Sequence, residues 1–286
     1  MQLDLEQLRT LRAVVEHGTL DAAAAALHVT PSAVSQRLKA LETTAGRVLL
    51  VRSKPARPTP AGETVLRMAR QVELLAADAS AELERTGELP RLAVAVNADS
   101  MATWFLPAIA PLAGEVAIAL HREDEVNTVR LLRAGAVVAA ITYDAAPVAG
   151  CTVTSLGVMR YRPMATKAFV RRWLPDGPSG EALAAAPMMV FDRDDALQTD
   201  YLQTRAPGAD PPQTMVPSST DFVQAIGLGM GWGMVPDLQR IPGLVELEPG
   251  AELDVPLHLQ RWRLDTPSLD RLAEAIVRGA RERLAQ

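Results

Sequence analysis

The chain has 286 residues, of which 48% are hydrophobic and 4% aromatic, and its formal net charge is −5 at pH 7. This length suits two or three modest domains. No apolar run approaches the ~18 residues that indicate a membrane span, and the start Met1–Glu6 lacks the basic and apolar segments of a signal peptide. The single cysteine, Cys151, excludes an intramolecular disulfide. We therefore expect a cytoplasmic protein with no membrane partner.

The charge is distributed unevenly along the chain. Residues 1–60 contain eight basic and five acidic residues, a net charge of +3, whereas the remainder carries 21 basic and 29 acidic residues, a net charge of −8. A basic head on an acidic body is typical of a protein that contacts nucleic-acid phosphates with one end only.

Three helices are predicted within residues 1–45. Gly18 ends the first helix, and Thr19 is placed to cap the second. Thr30 and Pro31 supply an N-cap and a first-turn proline for the third helix.

The third helix is amphipathic. Val34, Leu38 and Leu41 share one face and can anchor the helix in a small core. Serine and glutamine side chains reach base edges in a major groove, and lysine binds phosphate or guanine. The predicted DNA-contacting residues of this segment are Thr30, Ser32, Ser35, Gln36, Arg37 and Lys39. An ordinary helix with a solvated polar face is the competing interpretation.

Residues 46–58 predict a short hairpin with a basic tip, which favours DNA binding over that alternative. Its cations are expected to contact the DNA backbone or minor groove, and they are Arg47, Arg52, Lys54 and Arg57. Residues 1–58 are thus predicted to form a winged helix-turn-helix domain.

A long linker helix is predicted over residues 59–89. Its apolar positions alternate in steps of four and three residues, which is typical of a coiled-coil seam. The predicted dimerisation residues are Val65, Ala69, Val72, Ala76, Ala79 and Leu83. Pairing of this helix indicates a homodimer or a homotetramer.

Residues 90–286 alternate between strand and helix patterns, which predicts an α/β domain with parallel strands. The expected strands are 91–96, 116–120, 137–142, 188–191, 214–216, 231–235 and 257–264. The expected helices are 101–110, 126–133, 196–204, 220–226 and 269–284. They fall into two lobes, as in periplasmic binding proteins: lobe I about 90–162 and 258–286, lobe II about 163–257. A ligand cleft is expected at the carboxyl ends of the strands.

Polar and acidic residues at the predicted strand ends suggest a cleft for a cationic ligand. We expect Ser100 and Ser219 to cap helices, and the free N–H groups near Ser100 to attract a ligand carboxylate. Acidic residues at strand ends are also common as solvated loop residues, and Trp104 fits a core position as well. The predicted effector-binding residues are Asn97, Asp99, Ser100, Trp104, Glu123, Asp124, Thr142, Tyr143, Asp144, Asp192, Asp194, Ser218 and Ser219.

No enzyme motif emerges from the sequence. The glycine-rich run 227–233 does not fit G-x-G-x-x-G and follows a predicted helix, so a helix-to-strand turn is expected there. The four histidines and Cys151 lack metal-ligand spacing. We expect no catalytic residue, metal or cofactor.

The head resembles that of the LysR-type transcriptional regulators. The resemblance lies in Leu20–Ala23, Leu27–Thr30, Ser32–Arg37, Leu41–Glu42, Gly46, Leu49–Arg52 and Pro58–Gly62, and the two-lobed remainder extends it along the chain. Arg57–Thr59, Gln71–Leu75, Ala95–Ser100 and Ala102–Trp104 resemble the narrower ArgP/LysG branch. That resemblance implies an operator-binding activator of an exporter gene that senses lysine or arginine and changes the access of RNA polymerase. Many family members have glutamine where this chain has Pro31. The resemblance therefore does not imply that this chain recognises the same operator sequence.

Two other functions remain open from the sequence. The resemblance also allows a chromosome-associated architectural or replication-inhibiting protein, which would bind many sites with little ligand dependence. A solute-binding module or an enzyme built on the two lobes is the third possibility, but the attached basic head disfavours it.

Overall fold

The computed structural model describes residues 4–84, 89–123, 125–193 and 195–285. The chain begins with helices α1 (Leu5–His17), α2 (Leu20–Ala26) and α3 (Pro31–Ala45). The predicted helix boundaries are confirmed by their caps. Gly18 ends α1 in the left-handed conformation at φ 73°. The hydroxyl of Thr19 accepts a hydrogen bond from the backbone of Ala22, and that of Thr30 accepts one from Ala33.

A short antiparallel wing follows α3. Strand β1 (Leu50–Val51) pairs with β2 (Arg57–Pro58). The carboxylate of Glu42 in α3 accepts a hydrogen bond of 2.9 Å from the backbone N–H of Leu49. This bond ties the wing to the helix in front of it, so the two elements present one surface.

The long helix α4 (Pro60–Glu84) begins at the predicted proline and completes the core of the head. Leu66 of α4 is buried with Leu11 and Leu41 from the preceding helices. At Gly62 the helix passes so close to the wing that an added Cβ would lie 1.9 Å from the carbonyl oxygen of Leu49. Only glycine fits this crossing without displacing the backbone.

Replacing Gly62 by alanine is expected to destabilise the head by about 1–3 kcal/mol, because the wing must move away from α4. Thermal unfolding of the full chain should show this as a lowered midpoint. Thr64→Ala, two residues further along α4 at an exposed position, is the control. It is expected to change the stability by less than ~0.5 kcal/mol. An unchanged midpoint for Gly62→Ala would contradict the close crossing.

The remainder is built on a continuous sheet that runs through both lobes. Its strands are β3 (Arg91–Val96), β4 (Ala117–Arg122), β5 (Ala139–Thr142), β6 (Cys151–Thr166), β9 (Gly233–Pro236), β10 (Leu244–Glu246) and β11 (Leu253–Trp262). The order is β10-β6-β11-β5-β3-β4, and β9 also pairs with β6. Strand β3 is parallel to β4 and β5, as expected, whereas β11 is antiparallel to β5 and β6. The parallel arrangement predicted for the first three strands is confirmed, and the antiparallel β11 and β6 make the sheet as a whole mixed.

A second, small sheet lies in lobe II, where β7 (Met188–Val190) pairs in parallel with β8 (Gln213–Met215). The helices of the two lobes are α5 (Ala98–Ser100), α6 (Leu106–Ile109), α7 (Glu125–Ala134), α8 (Lys167–Trp173), α9 (Gly180–Ala185), α10 (Leu197–Gln203), α11 (Ser219–Gly227) and α12 (Pro267–Arg283). A π-helical turn, Met101–Phe105, joins α5 to α6. The glycine-rich run 227–233 is the expected turn between α11 and β9. At Gly233 an added Cβ would lie 2.8 Å from the ring of Phe222.

Strand β6 is the main element that the sequence did not predict as a unit. It contains Gly157, at φ 112°, and Pro163, which are both residues that commonly interrupt strands. Gly157 pairs with Leu257 at the point where the register of β11 shifts, so the glycine accommodates a bulge in a long strand. Among the described helices, none is long and apolar enough to cross a membrane.

Candidate functional site

The outward face of α3 carries the predicted base-reading side chains. Ser32, Gln36 and Lys39 are exposed, and Ser35 is half-buried. On the opposite face Val34 and Leu41 are fully buried in the head. The apolar face therefore anchors the helix, while the polar face is free to enter a groove of DNA.

Two predicted DNA contacts are engaged inside the head. The guanidinium of Arg37 lies 3.3 Å from the carboxylate of Glu6 on α1 and forms an ion pair with it. The hydroxyl of Thr30 is occupied in capping α3. Both side chains help to hold α3 in position, and their contact with DNA stays a prediction, since the Arg37–Glu6 pair is partly exposed.

The basic side chains of the wing are all exposed and flank α3. They are Arg47, Arg52, Lys54 and Arg57. With Lys39 they give one end of the molecule a positive surface, which suits contact with phosphates on either side of an inserted helix.

The predicted seam on α4 is divided between two roles. Val65 and Ala69 are buried in the core of the head, so their assignment to a subunit interface was wrong. Ala76, Ala79 and Leu83 are exposed, and Val72 is half-buried. A groove of about 360 Å³ runs between α1 and α4, and its lining includes Val72 and Ala76. The C-terminal part of the seam therefore remains available for pairing.

Asp99 lies at the junction of the two lobes. Its carboxylate accepts a hydrogen bond of 2.6 Å from the hydroxyl of Tyr161 on β6 and one of 2.5 Å from Ser219 at the start of α11. Gln239 in turn donates to the hydroxyl of Ser219 at 2.9 Å. One carboxylate from lobe I thus contacts both the crossing strand and lobe II.

Burial raises the pKa of Asp99 above its ordinary value. The hydrogen bonds from Ser219 and Tyr161 partly oppose this rise, and the nearby carboxylate of Asp195 adds to it. The pKa of Tyr161 is raised well above its usual range, first by burial and then by the charge of Asp99. The site disfavours an uncompensated negative charge, so a cation beside Asp99 would be stabilised.

Two buried polar atoms near Asp99 have no hydrogen-bond partner among the described residues: the amide oxygen of Asn97 and the hydroxyl of Ser100. Asn97 uses its amide nitrogen to donate to the hydroxyl of Tyr143 at 2.9 Å. Buried polar groups are nearly always hydrogen-bonded in native proteins. The free amide oxygen of Asn97, whose nitrogen is bonded to Tyr143, is therefore an acceptor that a donor group could use.

Other residues predicted for the cleft have structural roles or lie at its edge. Trp104 is 1% exposed and packs edge-to-face against Phe105, in agreement with the core interpretation. The hydroxyl of Thr142 accepts from the backbone of Asp144. The half-buried residues are Glu123, Asp192 and Ser218, and Asp144 is exposed. Asp124 and Asp194 lie outside the described residues.

Both capping predictions for the cleft were wrong by one or a few residues. Asn97 holds the N-cap position of α5, and Ser100 lies within the helical segment. Ser218, not Ser219, holds the N-cap position of α11. Ser219 points its hydroxyl to Asp99 instead, because it is the first residue inside the helix.

Sequence reasoning missed Tyr161, Asp195 and Gln239. Tyr161 belongs to the crossing strand β6, which the sequence did not show as one element. Asp195 accepts backbone hydrogen bonds from Phe191 and Leu197 at 3.0 and 3.2 Å and so shapes the loop of lobe II beside the cleft. The acidic run 192–195 was the available signal, but nothing in it singled out Asp195. No cluster of metal-binding side chains occurs within the described part of the chain.

Comparison with known proteins identifies the family. The model of the bacterial regulatory helix-turn-helix protein, lysR family, matches residues 5–63. A lysine export transcriptional regulatory protein, LysG, from Corynebacterium efficiens is 44% identical over 284 residues, which cover 96% of this chain and 97% of that protein. The chain belongs to the LysR family of bacterial regulators.

Solved structures of this family share its whole architecture. The crystal structure of ArgP from Mycobacterium tuberculosis is 43% identical, with a TM-score of 0.92, and covers 100% of this chain and 99% of its own. Full-length LysG from Corynebacterium glutamicum with bound effector Arg is 39% identical, with a TM-score of 0.84, and the match covers 99% of this chain and 100% of that one. The winged head, linker helix and two-lobed α/β domain of this LysR-family chain are thus a known combination, and the family is one of regulators and not of enzymes.

Proposed function

We propose that this chain is a homo-oligomeric transcriptional regulator that senses a basic amino acid and controls an exporter gene from the cytoplasm. The observation that carries the proposal is the buried Asp99 at the lobe junction, bonded to Tyr161 and Ser219. A relative named for lysine export and a neighbour with bound arginine support the choice of ligand. In this proposal residues 1–58 form the DNA-binding head, residues 59–89 the linker helix and residues 90–286 the effector-binding sensor.

The chemistry of the cleft suits a cationic ligand. The carboxylate of Asp99 and the free amide oxygen of Asn97 are both acceptors, and an ammonium or guanidinium group carries only donors. A charge-assisted bond to a buried carboxylate is stronger than a neutral one. A ligand cation would also compensate the buried negative charge, whereas leucine offers no side-chain donor at all.

The head is proposed to bind a two-fold operator. Paired heads would place one α3 helix in each of two major grooves, about 34–36 Å apart on one face of DNA. Pairing would use the exposed part of the seam, from Val72 to Leu83, and the neighbouring groove along α1. Ligand binding would change the spacing of the heads and with it the access of RNA polymerase.

Site selection from random DNA, followed by footprinting, tests this proposal. We expect the full chain to enrich a sequence with two-fold symmetry. Lysine or arginine should change the length or the occupancy of the footprint, and leucine should not. A footprint whose length and occupancy stay the same with lysine and with arginine would contradict the sensing function.

The architectural alternative predicts a different result in the same experiment. Such a protein would enrich no common sequence, and its affinity would fall steeply with salt, because phosphate contacts would dominate. The polar side chains Ser32 and Gln36 on the exposed face of α3 favour the sequence-specific mode.

A further inference from the structure

The linker helix α4 carries a buried carboxylate that neither the DNA surface nor the ligand cleft uses. Asp78 is 6% exposed, although it lies on a helix that leads away from the head. Isolated buried carboxylates are costly unless they are paired or hydrogen-bonded. The position of Asp78 therefore depends on its partner in the sensor.

That partner is the first turn of α12. The carboxylate of Asp78 accepts a hydrogen bond of 2.7 Å from the hydroxyl of Ser268 and a longer one, 3.4 Å, from its backbone N–H. Ser268 is fully buried. Thr266, in the N-cap position of α12, makes no side-chain capping bond.

Asp78 thus supplies the acceptor that a helix normally takes from its own N-cap residue. An N-cap side chain accepts from the second or third N–H of the helix, and Ser268 is the second residue of α12. A carboxylate at this end also interacts favourably with the helix dipole. The helix α12 is therefore capped by a residue 190 positions earlier in the chain.

The other side of α12 packs on the helical segments that follow Asp99 in the chain. Gly279 packs so closely on Ala108 of α6 that an added Cβ would lie 2.3 Å from the Ala108 Cβ. Helix α12 also contacts the π-helical turn Met101–Phe105, which directly follows Asn97–Ser100. A displacement of the Asp99 segment therefore presses on α12, which is held at its other end by the linker helix.

We infer that Asp78 is a positioning residue that transmits ligand binding from the cleft to the DNA heads by capping α12 from the linker helix. This inference rests on the proposed ligand response of the chain. A rigid helix packed on the segment that follows Asp99 and joined to α4 at Ser268 converts a small shift at Asp99 into a change in the direction of α4. The heads at the end of α4 then change their spacing.

The test compares the full-length protein with Asp78→Ala, Ser268→Ala and the double variant. The measured quantity is the ratio of operator affinities with and without lysine. For a coupling of the usual size this ratio is about 5- to 150-fold in the wild type. Each single variant is expected to bring it within about twofold of one, while the affinity for lysine and the affinity of the ligand-free protein for operator change little.

The double variant shows whether both residues act through one bond. If they do, it loses no more coupling than either single variant. Full coupling in either single variant would overturn the inference, and so would a double variant whose ratio differs from that of the single variants. Glu63→Gln, an exposed acid on the same helix, is the matched control and should keep the wild-type ratio.

A ligand-independent measurement separates this inference from the proposed function. Amide hydrogen exchange in the first turn of α12 is expected to be faster in Ser268→Ala and Asp78→Ala than in the wild type, with no lysine present. Unchanged exchange would contradict the capping itself. If exchange is faster in the variants but lysine has no effect on operator binding by the wild type, the capping holds and only the proposed ligand is contradicted.

Discussion

Replacing Gln36 and Lys39 together by alanine is expected to abolish sequence-specific DNA binding and leave the fold intact. Both side chains are exposed on the outward face of α3 and contribute nothing to the core of the head. A bidentate amide contact to a base is worth about 1–3 kcal/mol of discrimination. Loss of the Lys39 contact should also lower the slope of log affinity against log salt by about one. Fluorescence anisotropy with the selected operator, over a range of salt concentrations, measures both effects.

A matched pair of substitutions in the sensor controls for changes in net charge. Gln224→Ala with Lys167→Ala removes one amide and one cation from exposed positions far along the chain from the head. This control should bind the operator as the wild type does. Retained operator affinity in the α3 variant would mean that another surface reads the DNA.

Replacing Asp99 by asparagine is expected to weaken the binding of lysine or arginine by about 30-fold or more. Removing one partner of a buried, hydrogen-bonded charge pair costs about 2–5 kcal/mol. Asparagine has nearly the same shape and can still bond to Tyr161 and Ser219, so the lobe junction should persist. Isothermal titration of each variant with lysine measures the effect. Asp176→Asn, at an exposed position in lobe II, is the control and should bind as the wild type does.

The pH dependence of binding gives a second test of Asp99. Because burial raises the pKa of its carboxyl in the ligand-free protein, part of the population is protonated as the pH falls toward that raised value. A cationic ligand binds the carboxylate, so binding releases protons and the affinity rises with pH through this range. Asp99→Asn should lose this dependence. An identical pH profile in the variant would place the ligand cation elsewhere.

The stability of Asp99→Asn should exclude unfolding as the cause of lost binding. A raised folded pKa means that the charged carboxyl opposes folding once the pH exceeds its unfolded value. Removing that charge is therefore expected to leave the ligand-free variant at least as stable as the wild type at pH 7. Thermal unfolding provides the comparison.

The sequence predicted those parts of the fold that depend on local signals. Thr19, Thr30 and Gly18 define helix ends by bonds within a few residues, so their patterns can be read directly. Strands β3, β4 and β5 were predicted because short apolar strand segments alternate with helical segments in this part of the chain. The family resemblance supplied the overall architecture, which the comparisons confirm.

The errors concern contacts between distant segments. Val65 packs into the head, whereas Leu83 is exposed. The sequence could not distinguish them, because both belong to the same repeat of apolar positions in steps of four and three residues. Likewise, the ion pair between Arg37 and Glu6 joins α3 to α1 across 31 positions of the chain, so the sequence did not show it. The junction of Asp99 and Ser219 spans 120 positions in the chain, so the sequence could suggest both residues but not their bond.

Calorimetric titration of the purified wild-type chain with lysine and arginine, with leucine as the neutral control, tests the central claim most directly. The account predicts saturable binding of at least one basic amino acid and no binding of leucine. Leucine binding as tightly as lysine, or no heat from either basic amino acid, would contradict a cleft built around the buried carboxylate of Asp99.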